Sequence, residues 1–208
     1  MDPRNRDAAD SSDVLSDGVV VLRRWARSDA PFLAEASADP AIQRYNGTLD
    51  RFGYPAPPLS IAAAEAVIDE FTSSWERFAT VGTPGAGVAF AIVDASSGEL
   101  AGCCGLDDWS KSDVVQFGYW LAPHARGRGC ATRAATLLTR WLFDLGAARV
   151  VLTIVAGNEA SAGVARRAGF VHESTMRSYG VWQGERCDVM VFAALAPEWR
   201  AAMGDGGS

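Results

Sequence analysis

Two hydrophobic rhythms divide the chain. Short apolar runs of strand length occupy residues 19–22, 88–93, 100–106, 114–121, 149–155, 170–176 and 187–195, with turn-forming Gly, Asp, Asn or Pro between several of them. Between these runs, apolar residues return every three or four positions. Ala64, Val67, Ile68, Phe71 and Trp75 form one such stripe. Ala134, Leu137, Leu138, Trp141, Leu142 and Leu145 form another. Helices are therefore expected over about 30–38, 40–45, 60–78, 126–145 and 159–168. Ser28 or Asp29 would cap the first, Pro40 suits the first turn of the second, and Ser60 would cap the third. Gly169 would end the last.

The connections carry their own signals. Asp94-Ala-Ser-Ser-Gly98 reads as a hairpin turn and residues 107–113 as a second turn, so 88–121 reads as a three-stranded antiparallel meander. The prolines of 46–59 forbid regular pairing and mark a loop. Residues 179–185 read as a turn or long hairpin. The expected fold class is α/β (α+β mixed). A mixed, mostly antiparallel sheet is flanked by helices.

Length and composition set the domain count. At 208 residues, 49% hydrophobic and 21% charged, the chain can bury one full core. Residues 1–17 hold five aspartates and few large apolar groups and are expected as a disordered leader. Residues 18–195 form a single domain and 196–208 a flexible tail. The net charge of -6 argues against bulk nucleic-acid binding. No apolar run reaches the ~20 residues a bilayer requires, and no signal peptide is recognisable. A soluble cytoplasmic protein is expected, with no membrane contact and room for a homodimer.

Metal chemistry has little support. The cysteines 103, 104, 130 and 187 form no Cys-x-x-Cys pair, and His124 and His172 are the only histidines. Adjacent Cys103 and Cys104 would face opposite sides of a strand as buried thiols.

One stretch carries chemistry. Arg126-Gly-Arg-Gly-Cys-Ala131 follows a strand and opens a helix. A helix N-terminus presents unpartnered N–H groups and the positive end of the dipole. Gly127 and Gly129 remove side chains, so an anion can approach the backbone closely. Residues 124–143 also carry four arginines and no acid, a local charge that draws a polyanion. Two familiar phosphate loops are excluded. No Gly-Lys-Ser/Thr follows at Walker A spacing. A dinucleotide loop would need a third glycine where Thr132 stands, and an acid near Asn158.

At these residues the chain resembles the GNAT family of acyl-CoA-dependent N-acyltransferases, in its RimJ/RimL-like branch. The family pattern Arg/Gln-x-x-Gly-x-Gly/Ala is met by Arg126, Gly129 and Ala131. Gly118-Tyr-Trp-Leu-Ala-Pro123, Asn158-x-x-Ser161 and Ala168-Gly-Phe170 are similar to that branch as well. The resemblance covers roughly residues 18–195. It implies a six- to seven-stranded sheet whose central strands splay in a V, and acetyl-CoA as co-substrate without a metal. Arg126, Gly127, Arg128, Gly129, Cys130 and Ala131 would hold the pyrophosphate. Leu121, Asn158 and Ser161 would contact the pantetheine arm. A bulge near Gly118 would expose an N–H to the thioester carbonyl.

The resemblance also implies proton-handling groups, and here the chain departs from the family. The position of a common tyrosine acid is Ala165, and that of a common glutamate base is Gln116. Ser161 is the expected acid-side group, although it can equally be read as packing within its helix. Glu173 is the candidate base, with Asp107 and Asp108 behind it, or the base acts through water. An α-amine, with pKa ~8, is roughly a tenth neutral at pH 7, and lysine far less, which favours α-amines or weakly basic small amines. The expected acceptor is a protein N-terminus or a small-molecule amine, met by Tyr45, Trp109, Gln116 and Tyr179 among the early helices, the 46–59 loop and residues 177–185. The missing acid and base also leave room for a non-catalytic acyl-CoA sensor.

Overall fold

The computed structural model describes residues 14–47, 49–81, 87–110 and 112–204. In chain order the strands are β1 (Leu15–Ser16), β2 (Val20–Arg24), β3 (Ala89–Asp94), β4 (Leu100–Trp109), β5 (Val114–Leu121), β6 (Arg149–Val155), β7 (Val171–Trp182) and β8 (Glu185–Leu195). The helices are α1 (Ala30–Ser37), α2 (Pro40–Asn46), α3 (Ile61–Val81), α4 (Cys130–Asp144), α5 (Glu159–Arg167) and α6 (Ala196–Met203). The strands form one sheet in the order β1-β2-β3-β4-β5-β6-β8-β7. Among the described strands only β5 and β6 run parallel; every other neighbouring pair is antiparallel.

Strand alternation splits the core into two layers. Cys104, Leu106, Val115 and Phe117 turn to one face, where they meet Ala134, Leu138 and Leu142 of α4 and Ala162 and Ala165 of α5. Ala89, Ala91 and Cys103 turn to the other face, under Ala30 and Leu33 of α1 and Ala64 and Ile68 of α3. Cys103 and Cys104 thus lie on opposite faces as free, buried thiols. Burial pushes the Cys103 thiol up to about 12, so it stays protonated at neutral pH.

Four local readings differ from the structure. The expected leader over 1–17 lies outside the described residues up to 13, but Leu15 and Ser16 pair with Leu22 and Val21. That pairing supplies an eighth strand. Strand β4 does not stop at Leu106. A register shift after Leu106 lets it run to Trp109, and the turn closes where Ser110 N–H donates to Val114 O at 2.9 Å.

Strand β7 likewise continues past Met176 through a register shift, leaving a tight turn at Gln183 and Gly184. Both have φ near +48° and +84°, the geometry a two-residue hairpin requires. Residues 196–203 are helix rather than tail. Trp199 of α6 is buried, packs on Phe143 and donates from Nε1 to Ala168 O at 2.8 Å. The polar look of this segment concealed one large anchor.

Candidate active site

Strands β5 and β6 pair only at Val114↔Arg149, Val115↔Val150 and Gln116↔Val151. Beyond Gln116 they part. Strand β6 follows β8 along its whole length, from Arg149↔Leu195 to Val155↔Val189, while β5 follows β4 as far as Leu121↔Gly102. The result is a V. Ala122 N–H donates to Ala101 O at 2.9 Å, towards β4. By alternation the peptide groups of Tyr119 and Leu121 face the opening gap. The Leu121 carbonyl does so visibly, accepting from Arg126 Nε at 3.1 Å.

The V opens into a cleft of about 740 Å³. Its walls are β5 from Tyr119 to Leu121, the turn into α4 through Arg126, Gly127, Gly129 and Ala131, Asn158 and Ser161 at the start of α5, and Ile42 and Tyr45 of α2. At the turn, Gly127 and Gly129 have φ of +73° and +80°, and a methyl added to either would meet nothing within 4 Å. Gly129 is the N-cap of α4, with no side chain satisfying the first-turn amides. These N–H groups border the cleft, so an anion there would find them without partners.

The arginines near this turn act differently from the charge count. Arg126 pairs with Asp39, Arg128 with Asp94 and Arg133 with Asp17. Much of the local positive charge is spent on distant acids. Asp39 also caps α2, accepting from Ala41 N and Ile42 N at 3.1 and 2.9 Å. Burial pushes its carboxyl up, but Arg126 and these amides together hold it below the ordinary carboxylate value. Arg126 therefore ties the turn to the helix across the cleft. Arg167 of α5 does line the cleft, with Nε 3.4 Å from Thr132 Oγ1. Anion attraction rests on backbone amides and Arg167 more than on the arginines of the turn.

On the α5 side, Asn158 Oδ1 accepts from Ser161 N at 3.2 Å and caps the helix. The Tyr119 hydroxyl lies 2.8 Å from Ser161 Oγ and 3.2 Å from Ser161 O. Burial pushes the Tyr119 phenol up to about 12, against the pull of Ser161 and Arg167. It is a hydrogen-bond donor throughout the neutral range. The sequence reading missed this tyrosine. Alternation from buried Val115 and Phe117 would have put it on the α4–α5 face.

The structure brings together Tyr45, Leu121, Arg126, Gly127, Gly129, Ala131, Asn158 and Ser161. It does not bring in the rest. The Arg128 side chain reaches Asp94, and Cys130 is buried in the core. Trp109 packs against the core cluster, and Tyr179 is largely exposed on β7. Gln116 Nε2 lies 3.4 Å from both Asp107 Oδ2 and Thr153 Oγ1, at the vertex of the V. Glu173 is held in a two-pronged ion pair with Arg149, which keeps its carboxyl below the ordinary range and does not favour a proton acceptor. The bulge expected near Gly118 lies instead on β4. Pairing steps from Leu106↔Phe117 to Asp108↔Gln116, leaving Asp107 as the extra residue. Among the described residues, no cluster of three or more His, Cys, Asp or Glu is arranged for a metal, and no helix is long and apolar enough to cross a membrane.

A family model described as Acetyltransferase (GNAT) domain matches residues 20–171. YdaF of Bacillus subtilis (strain 168), provisionally named a ribosomal N-acetyltransferase, is 32% identical over 101 residues. That match covers 46% of this chain and 55% of YdaF, so the chain spans about half the length of that relative. YoaA of the same organism, named an uncharacterized N-acetyltransferase, is 23% identical over 186 residues, 88% of this chain and 97% of YoaA. Among solved structures, the ribosomal alpha-N-protein acetyltransferase RimL in complex with coenzyme A superposes with a TM-score of 0.72 at 21% identity, over 89% of this chain and 99% of that one.

Proposed function

The chain belongs to the GNAT acetyltransferase family, and from that premise we propose that it moves an acetyl group from acetyl-CoA directly to a primary amine, either a protein N-terminal α-amine or a small-molecule amine. One observation carries the reading. The uncapped, glycine-lined start of α4 and the Ser161–Tyr119 pair face a single cleft of about 740 Å³. An anion-holding end and a proton-handling end are what a charged nucleotide thioester requires.

Acetyl-CoA supplies the activated acyl group; the protein binds, orients and handles protons. The first-turn amides of α4, with Gly127 and Gly129 allowing close approach, hold the pyrophosphate. The outward peptide groups of Tyr119 and Leu121 extend the place of the missing strand partner and align the pantetheine arm. Asn158 orients Ser161 through its backbone amide. The Tyr119 hydroxyl is within hydrogen-bond reach of both Ser161 O and Ser161 Oγ; when its hydrogen is turned to Oγ, the Ser161 hydrogen is free to meet the departing sulfur. Ser161 is thus the catalytic donor and Tyr119 a positioning residue. The names of YdaF and RimL support a ribosomal-protein N-terminus as acceptor.

The test is thiol release from acetyl-CoA against a panel of small amines and N-terminal peptides, with coenzyme A binding measured in parallel. Turnover on an amine with acetylated product supports transfer. Tight coenzyme A binding without turnover on any acceptor replaces it with the sensor reading.

A further inference from the structure

We propose that Asp107 is the carboxylate that receives the acceptor as an ammonium and takes its proton, in a subsite framed by Gly118, Gln116 and Asn46. The proposal rests on the acetyltransferase reading and adds to it the charge state of the acceptor and the group that deprotonates it.

The geometry begins with the β4 bulge. An extra residue re-aims the side chain at that point, and here the extra residue is Asp107. A Cβ built on Gly118 would stand 3.7 Å from Asp107 Oδ2, 3.8 Å from Oδ1 and 3.8 Å from Asn46 Nδ2. The carboxylate therefore spans the bare Cα of Gly118, and Asn46, at the end of α2, is part of the cleft wall.

Gly118 itself is informative. It is absent from the residues with positive φ, so the backbone does not demand glycine. The added Cβ would make only ordinary contacts, so packing does not demand it either. A strand glycine often marks a bulge or a place where a ligand or another backbone comes close. The extra residue of the bulge is on β4, so at Gly118 the close approach of a ligand is the reading taken. It lies two residues past Gln116, the last β5 residue paired to β6, where the V begins.

Charge points the same way. Asp17, Asp29, Asp39, Asp69, Asp94 and Asp144 are each paired with an arginine. No cation pairs with Asp107 among the described residues; its side-chain partner is Gln116 Nε2 at 3.4 Å. The groups facing it are neutral: Gln116 and Gly118 from β5 and Asn46 from α2, with Thr153 of β6 beyond Gln116. On its own strand, Cys103 is protonated and Asp108 is the adjacent acid. An unpaired carboxylate at the vertex is complementary to an ammonium.

Asp107 keeps one side open to solvent, yet the density around its carboxyl pushes it above the ordinary value, against the pull of Gln116. That is the direction a proton acceptor needs.

The two proton tasks then fall on opposite faces of β5. Tyr119 and Ser161 are on the α4–α5 face, and Gly118, one residue away, is on the other. Asp107 first takes one proton from the ammonium and passes it to water, which frees the nitrogen lone pair. The neutral amine then attacks the thioester carbonyl. As the N–C bond forms and the C–S bond breaks, Ser161 gives its proton to the departing sulfur and is restored, through water, by the second proton lost from the nitrogen. Asp107 and Ser161 both end as they began.

The experiment compares wild type with Asp107→Asn, Asp107→Glu and Gly118→Ala, using an acceptor that is cationic at pH 7 and one that is not, with coenzyme A affinity as the fold control. Asp107→Asn is expected to lower kcat/KM about 10²- to 10⁴-fold for the cationic amine and to make the rate rise about tenfold per pH unit below the amine pKa. Loss for the uncharged acceptor stays under about tenfold, and coenzyme A affinity within about twofold. Asp107→Glu recovers part of the rate, and Gly118→Ala raises KM for the amine with coenzyme A affinity unchanged. If Asp107→Asn keeps the wild-type rate and pH profile on an amine that wild type acetylates, the subsite is overturned while the transferase reading stands. If wild type binds coenzyme A and acetylates no amine, both fall.

Discussion

Replacing Gly129 by alanine separates what the α4 turn does for the fold from what it does for the ligand. Gly129 has φ +80°, where an L-residue is strained by roughly 1–2 kcal/mol. In a domain of this size that lowers Tm by roughly 2–8 °C. Gly146 offers a matched control just after α4. Its φ is +103°, an added methyl would also meet nothing within 4 Å, and it does not line the cleft. If the turn holds the pyrophosphate as proposed, a methyl at 129 stands in the open space beside the turn and displaces the ligand from one backbone N–H. A hydrogen bond to a charged group is worth about 1.5–3 kcal/mol, so coenzyme A should bind roughly 10- to 150-fold more weakly. Titration calorimetry and thermal denaturation on both variants are the assay. Gly146→Ala should lose similar Tm and keep its coenzyme A Kd within about twofold. Equal Kd losses for the two variants, or a wild-type Kd for Gly129→Ala, would refute the cradle.

Further outcomes follow from other contacts. Trp199→Ala should cost about 3–5 kcal/mol in urea unfolding, because this α6 ring is buried on Phe143 and bonded to Ala168 O; a wild-type midpoint would make 196–203 a tail after all. Asp39→Ala should lose roughly 1–2 kcal/mol of N-cap stability. Asp39→Asn, which keeps a capping oxygen, should lose about 1 kcal/mol or less. Because the folded Asp39 carboxyl is held low, the wild-type advantage over Asn is full above the unfolded pKa of about 3.9 and fades as pH falls through the folded value. Tyr119→Phe should lower kcat more than it raises KM for acetyl-CoA, since it leaves Ser161 in place but unoriented. A loss confined to KM would assign Tyr119 to binding. Glu173→Gln should leave kcat/KM within about twofold from pH 6 to 9, since Glu173 is engaged by Arg149; a tenfold fall would restore it as a base.

Much of this protein is written locally. The α4 face from Ala134 to Leu142, the meander from β3 to β5, and the glycines at 127 and 129 follow from periodicity and backbone freedom, which need only neighbouring residues. The V of β5 and β6 entered as an implication of family resemblance, not of spacing. Local pattern failed where one contact decides. Leu15 and Ser16 become strand because β2 offers an edge. Residues 196–203 become helix because Trp199 finds a pocket between Phe143 and Ala168.

The α4 turn shows the division most clearly. The sequence determined a positive-φ, glycine-built helix start that an anion can approach, because glycine's freedom belongs to the residue itself. It also offered four arginines whose charge looked available. Only the tertiary structure decided that Arg126 answers to Asp39, 87 positions away, and Arg133 to Asp17, 116 positions away. The same holds for the candidate acid–base groups. Tyr119 meets Ser161 across 42 residues, Glu173 is captured by Arg149, and a one-residue register shift turns Asp107 towards Gly118. Spacing along a chain sets which groups can share a face. Register between strands and packing between helices set which of them meet.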